Sequence, residues 1–179
     1  GSEMCIRDRS SLKALYLAGE PLDESTSAWI AGELGVSIID NYWQTETGWP
    51  VLSVARGIEN KPTRLGSPGV PMPGYKLKLL NEATGALCGD NEKGVLVIEG
   101  PLPPGCMQTV YRDDQRFINT YWNNFATEQV YSTFDWGIRD SDGYYFILGR
   151  TDDVINVAGH RLGTREIEES ISSHPNVSE

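Results

Sequence analysis

The spacing of two short apolar runs narrows the fold more than any other feature of this chain. Residues 12–17 (LKALYL) are closed by Ala18, Gly19, Glu20 and Pro21, the pattern of a buried strand running into a turn. Residues 23–34 read as a helix, with Asp23 or a Ser near the start and Trp29, Ile30 and Leu34 on one side. Residues 36–39 (VSII) are a second buried strand, leading directly into NYWQTETGWP at 41–50. Strand, helix, strand at this spacing predicts a βαβ unit in a mostly parallel sheet, hence an α/β fold. Ligands of such sheets bind beyond the carboxyl ends of the strands. Gly19-Glu20-Pro21 and the 41–48 segment both follow a strand, so both are expected to face one crevice.

The character changes after Pro62. Residues 63–104 are rich in Gly and Pro with short apolar runs at 75–80 and 94–99, which predicts a small antiparallel subdomain of hairpins. Further runs at 119–123 and 131–134 follow, and Asp140-Ser141-Asp142-Gly143 is a hairpin turn signal. Residues 149–153 (GRTDD) are polar and turn-like, a candidate boundary. Beyond them stand a strand-like run at 154–157, a Gly-His-Arg-Leu-Gly loop, and a helix over 164–172 capped by Thr164, with Ile167 and Ile171 on its apolar side.

An apolar fraction of 39% and a charged fraction of 22% over 179 residues are those of a globular protein of about one domain. The formal charge of −10 argues against a nucleic-acid backbone as partner, which calls for basic patches. A single nucleotide remains compatible, because a small anion is held locally by Arg, a cation and backbone N–H groups. No run approaches the ~20 apolar residues of a membrane span. The three cysteines, Cys5, Cys88 and Cys106, stand far apart, as expected of free thiols in a reducing cytoplasm. Residues 1–9 (GSEMCIRDR) show no strand or helix period and do not join sensibly to residue 10 onward; they are read as a non-native leader.

The 41–48 segment carries the chemistry. Thr45 and Thr47 supply hydroxyls, Gln44 an amide and Glu46 one carboxylate. Mg²⁺ takes one or two carboxylates plus substrate phosphates, so a Glu beside a phosphate-contacting Thr suits Mg-ATP. A polar turn with Trp43 tucked into the core explains the same residues equally well. Asp135 follows a strand-like run, where a carboxylate can bind paired ribose hydroxyls; an ordinary exposed turn Asp is the plainer reading. Arg150 reads either as a salt-bridging hinge residue or as a ligand contact, and Arg161 as a group able to reach a phosphate. His160 and His174 lack partners at metal-ligand spacing. No Ser-His-Asp, Cys-His or paired-carboxylate arrangement, and no GxxxxGK[ST] or GxGxxG loop, is present.

GEPLD, NYWQTETG, RLGSPGVPMPGY, the aspartate of YSTFD, and GRTDDVINVAGHRLGTREIEE occur in an order that resembles the adenylate-forming acyl-CoA synthetases. The likeness is strongest to their short-chain branch, the acetyl- and propionyl-CoA synthetases. Within it NYWQTETGWP, EGPLPPGC and YSTFDWGIRD resemble the propionyl group. The resemblance implies that residues 10–151 are the end of the large AMP-binding domain, and 152–179 the hinge and start of a mobile C-terminal α+β domain. It implies ATP, Mg²⁺ and CoA as the small molecules used, together with a short-chain carboxylate. Gly19, Glu20 and Pro21 would line adenine, Asp40, Asn41, Tyr42, Trp43 and Gln44 would continue the nucleotide wall, and Thr45 would contact the α-phosphate. Glu46 would help hold Mg²⁺, and Trp43 would close the acyl pocket. Asp135 and Arg150 would hold the ribose and Asp152 would be the hinge. Ala158 and Gly159 would lie near the CoA arm, Arg161 near phosphate, and His174 at a peripheral cation position.

The chain departs from that pattern in two ways. Phe134 stands where members of the superfamily usually have Gly before the ribose aspartate. The family's Ser/Thr/Gly-rich phosphate loop is expected upstream of Leu12 and its adenylation lysine downstream of Glu179. The chain is therefore read as an internal fragment that does not complete the reaction alone. Rival readings are acetyl-CoA synthetase proper, a ligase that loads a carrier protein, and a non-catalytic nucleotide-binding module.

Overall fold

The computed structural model describes residues 10–19, 22, 24–58, 61–126, 128–157, 160–163, 167, 170, 171, 174 and 177. Strand β1 (Ala14–Ala18), helix α1 (Glu24–Leu34) and strand β2 (Ser37–Asn41) form the expected βαβ unit, with β1 and β2 parallel. Among the described residues that pair is the whole of the parallel sheet. The expected apolar side of α1 is only partly covered, with Ile30 and Leu34 half-buried. Trp29 is 66% exposed and Ser27 is the buried residue of the helix, because no described element packs over the tryptophan's side.

The larger sheet is an antiparallel meander in the order β5 (Leu77–Leu80), β6 (Gly94–Glu99), β7 (Val130–Arg139), β8 (Tyr145–Arg150). Its centre is β6, whose Val-Leu-Val-Ile run is β-branched enough to suit a strand covered on both faces. Alternation splits that run. Leu96 joins Leu52, Leu79, Tyr145 and Ile147 in one cluster, whereas Val95 and Val97 join Leu80, Val130 and Trp136 in another. Ile98 belongs to a third cluster with Val51, Tyr75, Cys106 and Tyr131.

A two-residue ladder of β3 (Leu52–Ser53) with β4 (Val70–Pro71) carries the chain from the 41–48 loop into this core. The segment after Pro62 is fastened to the β7–β8 turn. Arg64 pairs with both Asp140 and Asp142 and lies over the Tyr144 ring at 4.2 Å. The Tyr144 hydroxyl donates to the Pro62 carbonyl at 2.7 Å, and Ser67 Oγ donates to the Tyr145 carbonyl at 2.5 Å. The Asp140–Gly143 turn is where the sequence puts it, with Gly143 at φ +85°.

Two expectations are corrected. The run at 119–123 is helical: α2 (Asp114–Phe117), capped by the Asp113 side chain, continues into a π-helical turn (Ile118–Trp122). Within the Gly-His-Arg-Leu-Gly segment, read as a loop, His160–Gly163 is strand β10, antiparallel to β9 (Val154–Val157). Its flanking glycines and polar residues hide the strand pattern, which the pairing with β9 supplies. Residues 167, 170 and 171 are helical, while Thr164 lies outside the described residues. Among the described residues no helix is long and apolar enough to cross a membrane.

Candidate functional site

The parallel register Leu17↔Asp40 and Ala18↔Asn41 brings the carboxyl ends of β1 and β2 to one edge. Asn41 ties that edge together, its Nδ2 donating to the Leu17 carbonyl at 3.0 Å while its Oδ1 accepts from Ser53 Oγ at 2.6 Å. Asp40 Oδ1 accepts from the Asn41 N–H at 2.8 Å. Gly19 follows β1 exposed, at φ +112°, a conformation that costs a non-glycine residue dearly. Glu20 and Pro21 lie outside the described residues.

Beyond β2 the two aromatics part. Tyr42 packs against both core clusters that flank the loop and bonds through its backbone to Leu52, whereas Trp43 is 48% exposed. The core aromatic of the loop is therefore Tyr42, correcting the alternative that put Trp43 in the core. Backbone continuity fixes the choice, because adjacent extended residues point to opposite sides. Thr45 sits exposed at the turn. Thr47 is 1% exposed and closes the turn, its Oγ1 accepting from the Gln44 N–H at 3.1 Å and lying 2.9 Å from the Gln44 carbonyl.

Asp135 is neither at the end of a strand nor in an exposed turn. It lies within β7, 7% exposed, at a bulge where β6 advances from Val95 to Val97 while β7 advances from Trp136 back to Ser132. Such bulges re-aim a side chain out of the regular pleat. Asp135 Oδ2 accepts from the Tyr42 hydroxyl and from Gln44 Nε2, the latter at 2.9 Å. Gln44 Nε2 also donates to the Thr133 carbonyl at 2.6 Å, and Gln44 Oε1 accepts from the Tyr131 hydroxyl at 3.3 Å. Every polar atom of the Gln44 side chain is thus spent on β7. Burial raises the Asp135 carboxyl above its ordinary range, although the Tyr42 and Gln44 hydrogen bonds and the nearby Arg150 charge pull the other way. Burial also pushes the Tyr42 phenol well up, and the Asp135 charge adds to it.

Phe134 explains the bulge's geometry. Its φ is +61°, a left-handed conformation that costs an L-residue roughly 1–2 kcal/mol. The same position is the one at which the resembled family usually has Gly. The ring is retained by an edge contact on Tyr121, centroids 5.9 Å apart at 67°. Relief of the backbone and loss of the ring contact, worth ~0.5–1.5 kcal/mol, therefore oppose each other in Phe134→Gly. Its stability by urea unfolding is expected to stay within about 1 kcal/mol of the parent. A loss above ~3 kcal/mol would mean that the ring contact, not the backbone, dominates at this position.

Arg150 is the register partner of Asp135 on β8, yet its guanidinium pairs with Asp152, Nε and Nη2 reaching the two carboxylate oxygens at 2.8 and 2.9 Å. Both expected ribose residues are adjacent, but only Asp135 is turned into the loop's hydrogen-bond network. The Arg150–Asp152 pair lowers the Asp152 carboxyl; with side chains 49% and 62% exposed it is a surface pair, of small energetic weight. It spans the expected hinge.

Glu46 is held from two sides. Its carbonyl accepts from the Met107 N–H at 2.6 Å, and its Oε1 accepts from the Tyr121 hydroxyl at 2.9 Å. Tyr121, Tyr131 and Thr133 are site residues that the sequence reading missed. Tyr121 lies in the π-helical turn, 75 residues from Glu46, a distance no local pattern bridges. Of the remaining expected residues, Ala158 and Gly159 lie outside the described residues, Arg161 is on β10, and His174 is exposed. No group of three or more His, Cys, Asp or Glu side chains gathers among the described residues.

A family model described as AMP-binding enzyme matches residues 2–111. The chain belongs to this AMP-binding enzyme family. Among relatives of this AMP-binding chain, the propionate–CoA ligase of Salmonella typhimurium is 72% identical over 96% of the chain, which spans 27% of that protein. The acetyl-coenzyme A synthetase of Deinococcus radiodurans is 42% identical over 96% of the chain, covering 26% of that protein. A solved structure of the anthranilate CoA ligase AuaEII in complex with anthranoyl-AMP superposes with a TM-score of 0.73 at 27% identity. That match takes in 96% of this chain and 31% of the ligase. The chain thus spans little more than a quarter of the length of the curated relatives it matches, and it shares the fold of an adenylate-forming ligase.

Proposed function

We propose that this segment is the nucleotide-facing part of an AMP-forming acid–CoA ligase that converts propionate, ATP and CoA to propionyl-CoA. The observation that carries the reading is the convergence of the 41–48 loop on Asp135, a buried carboxylate set within β7 at a bulge. The higher identity to a propionate–CoA ligase than to an acetyl-coenzyme A synthetase, 72% against 42%, supports propionate as the acid.

In the proposed reaction a carboxylate oxygen of the acid attacks the α-phosphorus of ATP. The bond to the β-phosphate oxygen breaks, pyrophosphate leaves, and an acyl-adenylate remains. The CoA thiol then adds to the acyl carbon and AMP departs, its phosphate taking the electron pair while the thiol proton passes to solvent. Neither step needs a protein nucleophile, so the segment's work is positioning and charge neutralisation. Asp135 takes the ribose hydroxyls through the oxygen that Tyr42 and Gln44 leave open to it. Arg150 joins it by exchanging Asp152 for the ribose as the hinge turns. Gly19, Glu20, Pro21, Asp40 and Asn41 form the adenine wall. Thr45, exposed at the turn, faces the α-phosphate, and Trp43 bounds the acyl pocket, its bulk favouring short acids. Ala158 and Gly159 lie by the CoA arm, Arg161 reaches phosphate, and His174 marks a peripheral cation position.

Glu46 fits Mg²⁺ in the manner that cation prefers, one carboxylate supplemented by phosphate oxygens and water. When bound, Mg²⁺ neutralises phosphate charge. Pyrophosphate release by the full-length protein, measured with acetate, propionate and butyrate, tests the reading. Propionate is expected to give the highest kcat/KM, because one methylene in an apolar pocket is worth ~10–200-fold. Acetate as the best acid would overturn the substrate assignment, and no pyrophosphate with any acid would overturn the ligase reading.

A further inference from the structure

Tyr121 sits in a box of three aromatic rings. Phe117 tilts against it at 5.7 Å, Tyr131 stacks on it at 5.1 Å and 3°, and Phe134 meets it edge-on at 5.9 Å. Phe117 comes from α2, and the other two rings come from β7. Rings gathered from separate elements restrict how far the phenol can turn away. Stacked side by side, Tyr121 and Tyr131 send their hydroxyls to neighbouring members of the same loop, Tyr121 to Glu46 Oε1 and Tyr131 to Gln44 Oε1. Met107 pins the Glu46 backbone on the other side.

Among the described residues, Glu46 Oε1 takes the Tyr121 hydrogen bond and Oε2 takes none. A carboxylate fixed at its backbone and at one oxygen holds a single rotamer, which removes the ordering cost that a ligand would otherwise meet. Packing alone does not require the hydroxyl, since a phenylalanine would fill the same aromatic box.

We propose that Tyr121 is a positioning residue, whose hydroxyl sets the Glu46 carboxylate so that its second oxygen faces the cation carried by a nucleotide's phosphates. This inference rests on the nucleotide-binding reading of the loop.

The test uses the full-length protein and its Tyr121→Phe, Glu46→Gln and doubly substituted forms. Calorimetric titration with ATP, in excess Mg²⁺ and again in EDTA, is read beside the thermal midpoint. Tyr121→Phe is expected to weaken Mg-ATP binding about tenfold, the worth of one hydrogen bond to a charged group. The same variant should bind ATP as the parent does in EDTA, with the midpoint within about 2 °C. In the Glu46→Gln background, Tyr121→Phe should add no further loss, because its effect passes through the carboxylate. Unchanged Mg-ATP affinity in Tyr121→Phe overturns the proposal whatever the thermal midpoint does. So does an equal loss with and without Mg²⁺, or an additive loss in the double variant. If the parent itself binds no ATP, the nucleotide reading fails and this inference with it. A parent that binds ATP while Tyr121→Phe does so equally well sinks the inference alone.

Discussion

Replacing Asp135 by alanine is expected to cost the full-length protein both nucleotide affinity and stability, whereas replacing it by asparagine should cost affinity alone. In the alanine variant the Tyr42 hydroxyl loses its acceptor, and Gln44 Nε2 keeps only the Thr133 carbonyl. Stranding a buried donor costs ~1–3 kcal/mol. On the proposed reading, removal of the carboxylate would also take away its charged hydrogen bonds to a ribose, a loss on the order of a hundredfold in ATP affinity. Asparagine supplies one oxygen, enough to accept from both Tyr42 and Gln44, without a buried charge. Its fold should match the parent's while its ATP affinity falls about tenfold or more. Equal ATP affinity in parent and both variants would remove Asp135 from the nucleotide site.

The same pair of proteins reports the Asp135 ionisation. Its carboxyl is raised by burial, so the folded protein holds the proton more tightly than the unfolded chain. The stabilising share of that proton is complete below the ordinary carboxyl value, ~3.9. It is lost as pH rises from there through the raised value, and the ionised group is a constant burden above it. Asp135→Asn lacks this titration. Its stability advantage over the parent in urea unfolding should be largest near neutrality and shrink as pH falls through the carboxyl range. An advantage that grows on acidification would mean that the ionised Asp135 is stabilised by its partners.

Gly69→Ala should be the most damaging small substitution in the described fold. Gly69 has φ +104°, and an added Cβ would stand 2.4 Å from the Ser53 carbonyl oxygen and 2.6 Å from its carbon. Those are backbone atoms of β3, which is locked by Val51, Tyr42 and Met72 and cannot step aside. Gly69 also joins β4 to the β7–β8 hairpin, its carbonyl accepting from the Tyr145 N–H at 2.9 Å while its own N–H donates to Ser67 Oγ at 3.0 Å. The left-handed backbone and the overpacking together are expected to cost about 3 kcal/mol or more. Gly105→Ala is the control: φ is +98°, but nothing lies within 4 Å of the added carbon. Its loss should be ~1–2 kcal/mol, from the backbone alone. Denaturant midpoints of the two variants settle the point, and equal losses would show that the contact with Ser53 is relieved by movement.

Sequence and structure agree at three places where short-range chemistry decides. The β1–α1–β2 spacing, the Asp140–Gly143 turn and the central strand β6 follow from apolar period, turn residues and β-branched content. The common edge of the ends of β1 and β2 followed from parallel pairing, and the ordered motifs of NYWQTETG and GRTDDVINVAGHR pointed to the family. Three-dimensional packing decided what those residues do. It put Tyr42 rather than Trp43 in the core, set Asp135 inside β7 at a left-handed bulge, and gave Arg150 to Asp152. It also brought Tyr121 to Glu46 across 75 residues. The placement of Asp135 and the Tyr121–Glu46 contact share one physical reason: register, bulges and ring packing are properties of pairs of segments, and a sequence period describes only one segment at a time.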